Sequence, residues 1–452
     1  MPVDCSAVSD MDWLVSILIV VPAVYLYAVR STWLIDYLVW ITVLNRGIRR
    51  YVDWLAGSFN PLSPISLTPL VISGFIFLMV FQNYSRLPAY FKKITTCFTI
   101  ALVFAFAIGV IRNKFAAVYS LAEYVTPLSI MTCAVLAWGR NDILDRWIKT
   151  VGWAAVVASL YGWYQYYTIP PWDAFWVRSV GFEGYLGNLK PTEMTVFSTM
   201  SERGPFASFL GFAVIPMICA KRWRNVGGWF SVLLILSVIL LTFVRSTIIT
   251  IGLATVLYPL LNRGKNTFRI VLLLCAIALA ANVGLSLIPT SNKISERVGS
   301  IATITEDGSF QGRMAIAQYG FSGVLRNPLG TGLGSTGLAG RVNTGELEAG
   351  AAIGDNGYFA ILFTFGWVGS FFFFRAFYLI WRQIRLFERV GIRTDAVMLF
   401  KAFFVTGSIA LIAGDWIAGA GSLVFFILAG FALHPRPEMD AYAKRLNPLS
   451  TA

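Results

Sequence analysis

The sequence is poor in charge. Only 13% of its 452 residues are Asp, Glu, Lys or Arg, where an average soluble protein carries roughly a quarter. With 57% apolar residues and a mean hydropathy of +0.68, this excludes an ordinary soluble enzyme and describes a polytopic membrane protein. There is one histidine, His434, in a polar stretch after the last apolar run, where a surface role is expected. The five cysteines include no CxxC and no Cys/His spacing, so neither zinc nor a disulfide framework is expected. The first residues carry Asp4, Asp10 and Asp12 but no basic cluster. A cleavable signal peptide is therefore not expected, and the first apolar run should remain as a helix. Repeats, low-complexity tracts and a separate soluble domain are also missing, so residues 1–452 read as one membrane domain.

What charge there is has a pattern. The net charge is +13, from 36 Lys+Arg against 23 Asp+Glu. The basic residues fall in short clusters between apolar runs, as in positive-inside loops, so a nucleic-acid partner is not expected. Runs able to cross a bilayer, about 20 residues each, predict an all-α transmembrane bundle of about 11–13 spans. They cover roughly 13–29, 31–44 (weak), 66–82, 94–111, 115–137, 148–169, 205–220, 228–244, 246–261, 268–288, 353–381, 397–413 and 416–433. The apolar stretch 229–261 would be about 50 Å long as one helix, against a hydrocarbon core of about 30 Å. Arg245-Ser246 therefore marks a sharp reversal.

Clusters around Arg86, Arg146, Arg222, Lys265 and Arg385 alternate with loops that lack them. Placing all five inside orients every span from residue 66 onward. Arg46, Arg49 and Arg50 resist the scheme, because they would lie outside unless 31–44 is an interfacial helix. Two larger polar segments, 170–204 and 289–352, then emerge on the outer face, and at that length they are expected to fold over it. Arg203, Arg245, Arg313 and Asp355 are thereby placed on one side of the membrane at similar depth.

Each of these groups is a functional candidate, since ionisable residues at membrane depth are costly. Arg245 lies between TFV and STIIT, and Arg203 precedes a helix whose free N–H groups also favour an anion. Snorkelling, or pairing of Arg203 with Glu202, would account for them equally well. Arginine forks suit phosphate and pyrophosphate, so together they fit a lipid-linked diphosphate. Asp355 is either a general base or the N-cap of a helix beginning near Gly357. Asp415, between the last two spans, reads as a turn or cap. The glycines of PLGTGLGSTGLAG lack a preceding strand and a GKS/T; a loop admitting substrate or a tight turn is expected there, not a nucleotide site.

Taken in order, Arg203-Gly204, Arg245-Ser246, the Arg313-led amphipathic segment, NPLGTGLGS (Asn327 to Ser335) and DNGYFAILFTFGWVG (Asp355 to Gly369) resemble the O-antigen polymerase and ligase superfamily of bacterial inner-membrane proteins. The resemblance is clearest over about 200–380. It implies a metal-independent, inverting glycosyltransferase without a cofactor. Such an enzyme works on the periplasmic face of the inner membrane, taking a glycan from undecaprenyl diphosphate to an acceptor hydroxyl. By position it implies that Arg203 and Arg245 hold the diphosphate and that Arg313 binds substrate or diphosphate. Asn356, Arg178 and Tyr319 complete the expected substrate contacts. The family's His-Asn pair corresponds to Asp355-Asn356, so a carboxylate stands where the family has a histidine base. Expected partners are the lipid-linked oligosaccharide, an acceptor glycan or lipid, membrane lipids and a chain-length regulator. A polymerase is the leading reading and a ligase the second. A flippase or transporter of a lipid-linked anion is the alternative from another class.

Overall fold

The computed structural model describes residues 5–60, 63–137, 141–183, 186–225, 227–262, 324–336 and 356–433. Within these the chain is a bundle of helices: α1 (Cys5–Ala28), α2 (Trp33–Leu55), α3 (Thr68–Gln82), α4 (Ala89–Asn113), α5 (Phe115–Leu136), α6 (Asn141–Thr168), α7 (Pro171–Ser179), α8 (Arg203–Cys219), α9 (Trp229–Leu241), α10 (Arg245–Asn262), α11 (Gly357–Arg389), α12 (Asp395–Ala410) and α13 (Leu423–Leu433). Among the described residues the only β pairing is an isolated bridge between Gly187 and Met194. Among the described residues, six helical segments are long and apolar enough to cross a membrane, and four apolar helices are shorter. The protein is thus an all-α, multi-pass membrane bundle.

The weak run 31–44 is the largest departure from the sequence reading. It is the first half of α2, a 23-residue helix that runs the depth of the bundle. Its charges point inward, most of them to partners on other elements. Near its start, Asp36 accepts hydrogen bonds from Arg146 Nε (3.0 Å) and Thr150 Oγ1 (2.6 Å). Near its end, Arg50 forms an ion pair of 3.2 Å with Asp173 of α7, and both side chains are fully buried. Arg50 also donates to the Ser198 carbonyl and lies over the Phe197 ring. Arg49, beside Arg50, pairs with Asp53 one turn further along the same helix at 3.4 Å and donates to Ser66 Oγ at 3.0 Å. Arg46, Arg49 and Arg50 therefore lie at the end of the bundle where α8, α10 and α11 begin, and each has partners within the protein.

The expected reversal occurs over Thr242–Val244, where Phe243 takes φ 55°, and Arg245 is the first residue of α10. The last expected span, 416–433, is α-helical only from Leu423, after a 3-10 turn at Ala420–Ser422. Residues 414–419 form a loop instead, with positive φ at Gly414 and Gly419.

α11 is broken at Gly366, which takes φ 61°. The glycine-rich segment fills the break. Thr331 N donates to the Phe363 carbonyl (2.8 Å), Gly332 N to the Thr364 carbonyl (3.0 Å), Leu333 N to the Ala105 carbonyl of α4 (3.0 Å), and Trp367 N to the Pro328 carbonyl (2.9 Å). Irregular backbone is tolerated at membrane depth only where protein groups satisfy it, and the inserted loop does so. A Cβ on Gly332 would lie 2.2 Å from Gly109 N, and one on Gly334 would lie 2.5 Å from the Ala116 carbonyl carbon. The closely spaced glycines are thus a packing requirement: the motif is a tight, inserted turn.

Candidate active site

One end of the bundle holds a cavity of about 310 Å³, within the usual range for ligand sites. Residues at the beginnings of three helices line it: Gly204 on α8, Ser246 on α10 and Ala360 on α11. Arg46 from α2 and Glu123 from α5 supply its charged wall, and Asp415 from the 414–419 loop stands with them.

The wall is tied together across long stretches of sequence. Arg46 donates to Tyr119 OH at 2.8 Å and to Glu123 Oε1 at 3.3 Å, and also to Ser201 Oγ. Tyr124 OH lies 3.4 Å from Asp415 Oδ2. Ile417 N donates to Asp415 Oδ1 at 2.9 Å, so Asp415 does hold a turn, as its sequence context suggested. Gly419 N donates to the Glu123 carbonyl at 3.4 Å, which fastens the loop to α5. Burial raises the Asp415 carboxyl above the usual carboxylate range, against the lowering effect of Ile417 N–H and Tyr124 OH.

Arg203 and Arg245 are each half-buried. The residues beside them, Glu202 and Gly204 for one and Val244 and Ser246 for the other, line the cavity. Both helices therefore present their N-terminal ends, with their free backbone N–H groups, next to the cavity. Asn356 heads α11, and its side-chain oxygen accepts from Tyr358 N (3.1 Å) and Phe359 N (3.3 Å). The N-cap is thus Asn356 and not Asp355, because a side chain one position nearer the helix reaches these N–H groups. The Asn356 side-chain oxygen thus holds the start of α11. A Cβ on the next residue, Gly357, would be 3.0 Å from the Gly414 carbonyl oxygen, so α11 starts against the loop that carries Asp415.

Arg178 is not brought to the cavity. It is exposed on α7, paired with an equally exposed Glu183 at 3.4 Å, an arrangement worth little. Asp355, Arg313 and Tyr319 lie outside the described residues, as do the expected span 268–288 and most of the 289–352 segment. The first polar segment, 170–204, is fastened to α2 by Arg50–Asp173 and packs a small apolar core of its own from Trp176, Leu186, Met194 and Phe197. Its last residues, Met200 and Glu202, reach the cavity wall.

The sequence reading missed Arg46 and Glu123. A signal for Glu123 was present, since it is a carboxylate inside the apolar run 115–137, where an ionisable residue is a functional candidate by default. Arg46 stood out only as one of three arginines that resist the orientation scheme, and its role stayed hidden because its partner lies 77 residues away.

The charge balance of the wall limits what the cavity can hold. Among the described residues, Arg46 stands there against the carboxyls of Glu123, Glu202 and Asp415, one cation to three acids. A polar space of this sign suits sugar hydroxyls, which donate to carboxylates, and repels a diphosphate. Two arginines and two helix N-termini at its edge suit the diphosphate. No curated protein matches the chain. Residues 230–374, which run from α9 through α10 to the first half of α11, match the family model Wzy_C, described as O-Antigen ligase, a match that supports membership of the O-antigen ligase and polymerase superfamily.

Proposed function

We propose that this chain is a polysaccharide polymerase. It transfers a glycan from undecaprenyl diphosphate to a hydroxyl of an acceptor repeat unit, on the periplasmic face of the bacterial inner membrane. The observation that carries this reading is the pairing of a carboxylate-walled cavity with two helices that each begin on an arginine beside it. In the displacement, the acceptor oxygen bonds to the anomeric carbon with inversion, and the bond from that carbon to the diphosphate oxygen breaks. The acceptor proton passes to a carboxylate. The charge gathering on the departing diphosphate is met by Arg203 and Arg245 and by the N–H groups of the helix ends. Arg313 would add to this clamp, and Asp355, one residue before the α11 cap, is the sequence's own candidate for the proton acceptor. The family resemblance implies that the reaction uses no metal ion.

Transfer to lipid A–core or to another acceptor is the second reading, favoured by the ligase description of the matched family model. Deleting the gene and analysing surface polysaccharide separates the possibilities. Surface material reduced to single repeats is the expected result. Long unattached polymer would indicate a ligase. Repeats trapped in the cytoplasm would indicate a flippase and overturn glycan transfer.

A further inference from the structure

Two carboxylates face the cavity from elements that no motif of the sequence reading includes. Glu123 comes from the middle of the apolar helix α5 and Asp415 from the loop before α13, and neither lies within residues 230–374. They are held differently. Glu123 is neutralised by Arg46 (3.3 Å), which is itself oriented by Tyr119 (2.8 Å). Among the described residues Asp415 receives only neutral donors, Ile417 N (2.9 Å) and Tyr124 OH (3.4 Å). Burying carboxylates in a bundle this apolar is unfavourable unless something offsets it. Packing alone gives no reason for two of them to border the same space.

We propose that Glu123 and Asp415 form the acceptor-sugar site: Glu123, set in place by Arg46, binds acceptor hydroxyls, and Asp415 receives the proton of the attacking one. The inference rests on the glycan-transfer reading and assigns its acceptor half. The step balances. The hydroxyl O–H bond breaks as the new C–O bond forms, the Asp415 carboxylate becomes a carboxylic acid, and the electron pair of the broken C–O bond leaves with the diphosphate. Asp415 is then a catalytic residue, and Arg46 a positioning residue that acts through Glu123. The surroundings of Asp415 fit this role. Among the described residues its neighbours are Tyr124 and the 416–419 backbone, with Glu123 and Arg46 lining the same cavity, and no cation contacts it directly.

The test uses the full-length protein in cells lacking the chromosomal gene. Asp415→Asn and Glu123→Gln keep size and most hydrogen bonds while removing charge. Two quantities are read: surface polymer, and the polyprenyl-linked glycan that stays bound to the detergent-purified protein, by mass spectrometry. Polymer should fall about 100-fold or more in Asp415→Asn, the usual contribution of a general base, with the bound donor kept at the wild-type level. Glu123→Gln should also keep the donor and lose polymer. Wild-type polymer in either variant overturns the assignment, and so does loss of donor together with polymer. If Asp415→Asn does not accumulate, Asp415→Glu is read by the same criteria: donor kept and polymer lost supports the role, and wild-type polymer removes it. Arg46→Lys should raise the acceptor concentration needed for half-maximal rate with little change in the maximal rate. The reverse split would overturn its positioning role. Wild-type protein that carries no lipid-linked glycan, in cells whose surface polysaccharide survives the deletion, is a different result: it removes the transfer reading and the acceptor site with it.

Discussion

Asp415 shows how one side chain can serve two masters. Its Oδ1 closes a turn on Ile417 N at 2.9 Å, while the rest of the carboxyl borders the cavity. Burial lifts its pKa, and the sign of the consequence follows. A base that must be ionised gains activity as pH rises through its raised pKa, so polymer formation by wild-type protein should climb as pH rises through that pKa. The fold changes the other way. A carboxyl with a raised folded-state pKa stabilises the native state below its unfolded pKa and loses that contribution as pH rises through the folded one. Thermal stability should therefore fall over the pH range in which activity grows, and Asp415→Asn should flatten both profiles. A wild-type rate that declines across that range would contradict the assignment. At the same scale, Arg245→Ala should abolish polymer while the protein still elutes as a folded, monodisperse species; wild-type glycan lengths from that variant would remove the diphosphate clamp. Single residues were only partly legible in the sequence. Arg203 and Arg245 announce themselves as charges at the ends of apolar runs, a local property. The Asn356 cap was one position off, because Asp and Asn in sequence are equally good capping residues and only the backbone path decides between them.

Two elements carry structure that their hydropathy conceals. In α2 the charges left the placement of 31–44 open between a weak span and an interfacial helix, since no local rule says that Asp36 will meet Arg146, 110 residues away, or that Arg50 will meet Asp173. Removing one member of a fully buried ion pair leaves the other uncompensated, at a cost of about 3–5 kcal/mol. Arg50→Ala should therefore lower thermal stability sharply and release the 170–204 segment to protease. Arg50→Met with Asp173→Leu should recover much of the stability, and a single variant as stable as wild type would show that the pair holds nothing. The glycine motif before α11 has the same lesson in backbone form. Gly332 combines φ 82° with a backbone neighbour 2.2 Å from where a Cβ would be. Gly332→Ala should destabilise by more than the roughly 1–3 kcal/mol of ordinary overpacking and should open the Gly366 break. A well-folded Gly332→Ala variant, measured by thermal unfolding in detergent, would contradict the inserted-turn account. The sequence reading allowed a tight turn here but could not place it, because its hydrogen-bond partners are the carbonyls of a kink that lies some thirty residues further on (Thr331 N to Phe363 O).

The whole molecule separates its charges by end. The cavity, Arg46, Arg50 and the first residues of α8, α10 and α11 share one end. The opposite end collects Arg146–Asp36, Arg222–Asp395 and Lys401–Glu388. Hydropathy made the bundle legible, because crossing a membrane needs only a local run of apolar residues. The cavity was not legible, because it is built from contacts between runs. If the basic end is cytoplasmic, a cysteine at Ser179 on α7, in an otherwise cysteine-free chain, should react with an impermeant thiol reagent added to intact inner-membrane spheroplasts. One at Ser85, at the other end, should stay protected. The reverse pattern would turn the cavity toward the cytoplasm. The most direct test of the central claim is photocrosslinking with a polyprenyl diphosphate that carries a photoreactive group near the phosphates, followed by peptide mapping. Adducts on the peptides that begin α8 and α10, lost in the Arg203→Ala/Arg245→Ala double variant, are the expected result. Adducts confined to the Arg222–Lys401 end, or unchanged in the double variant, would contradict it.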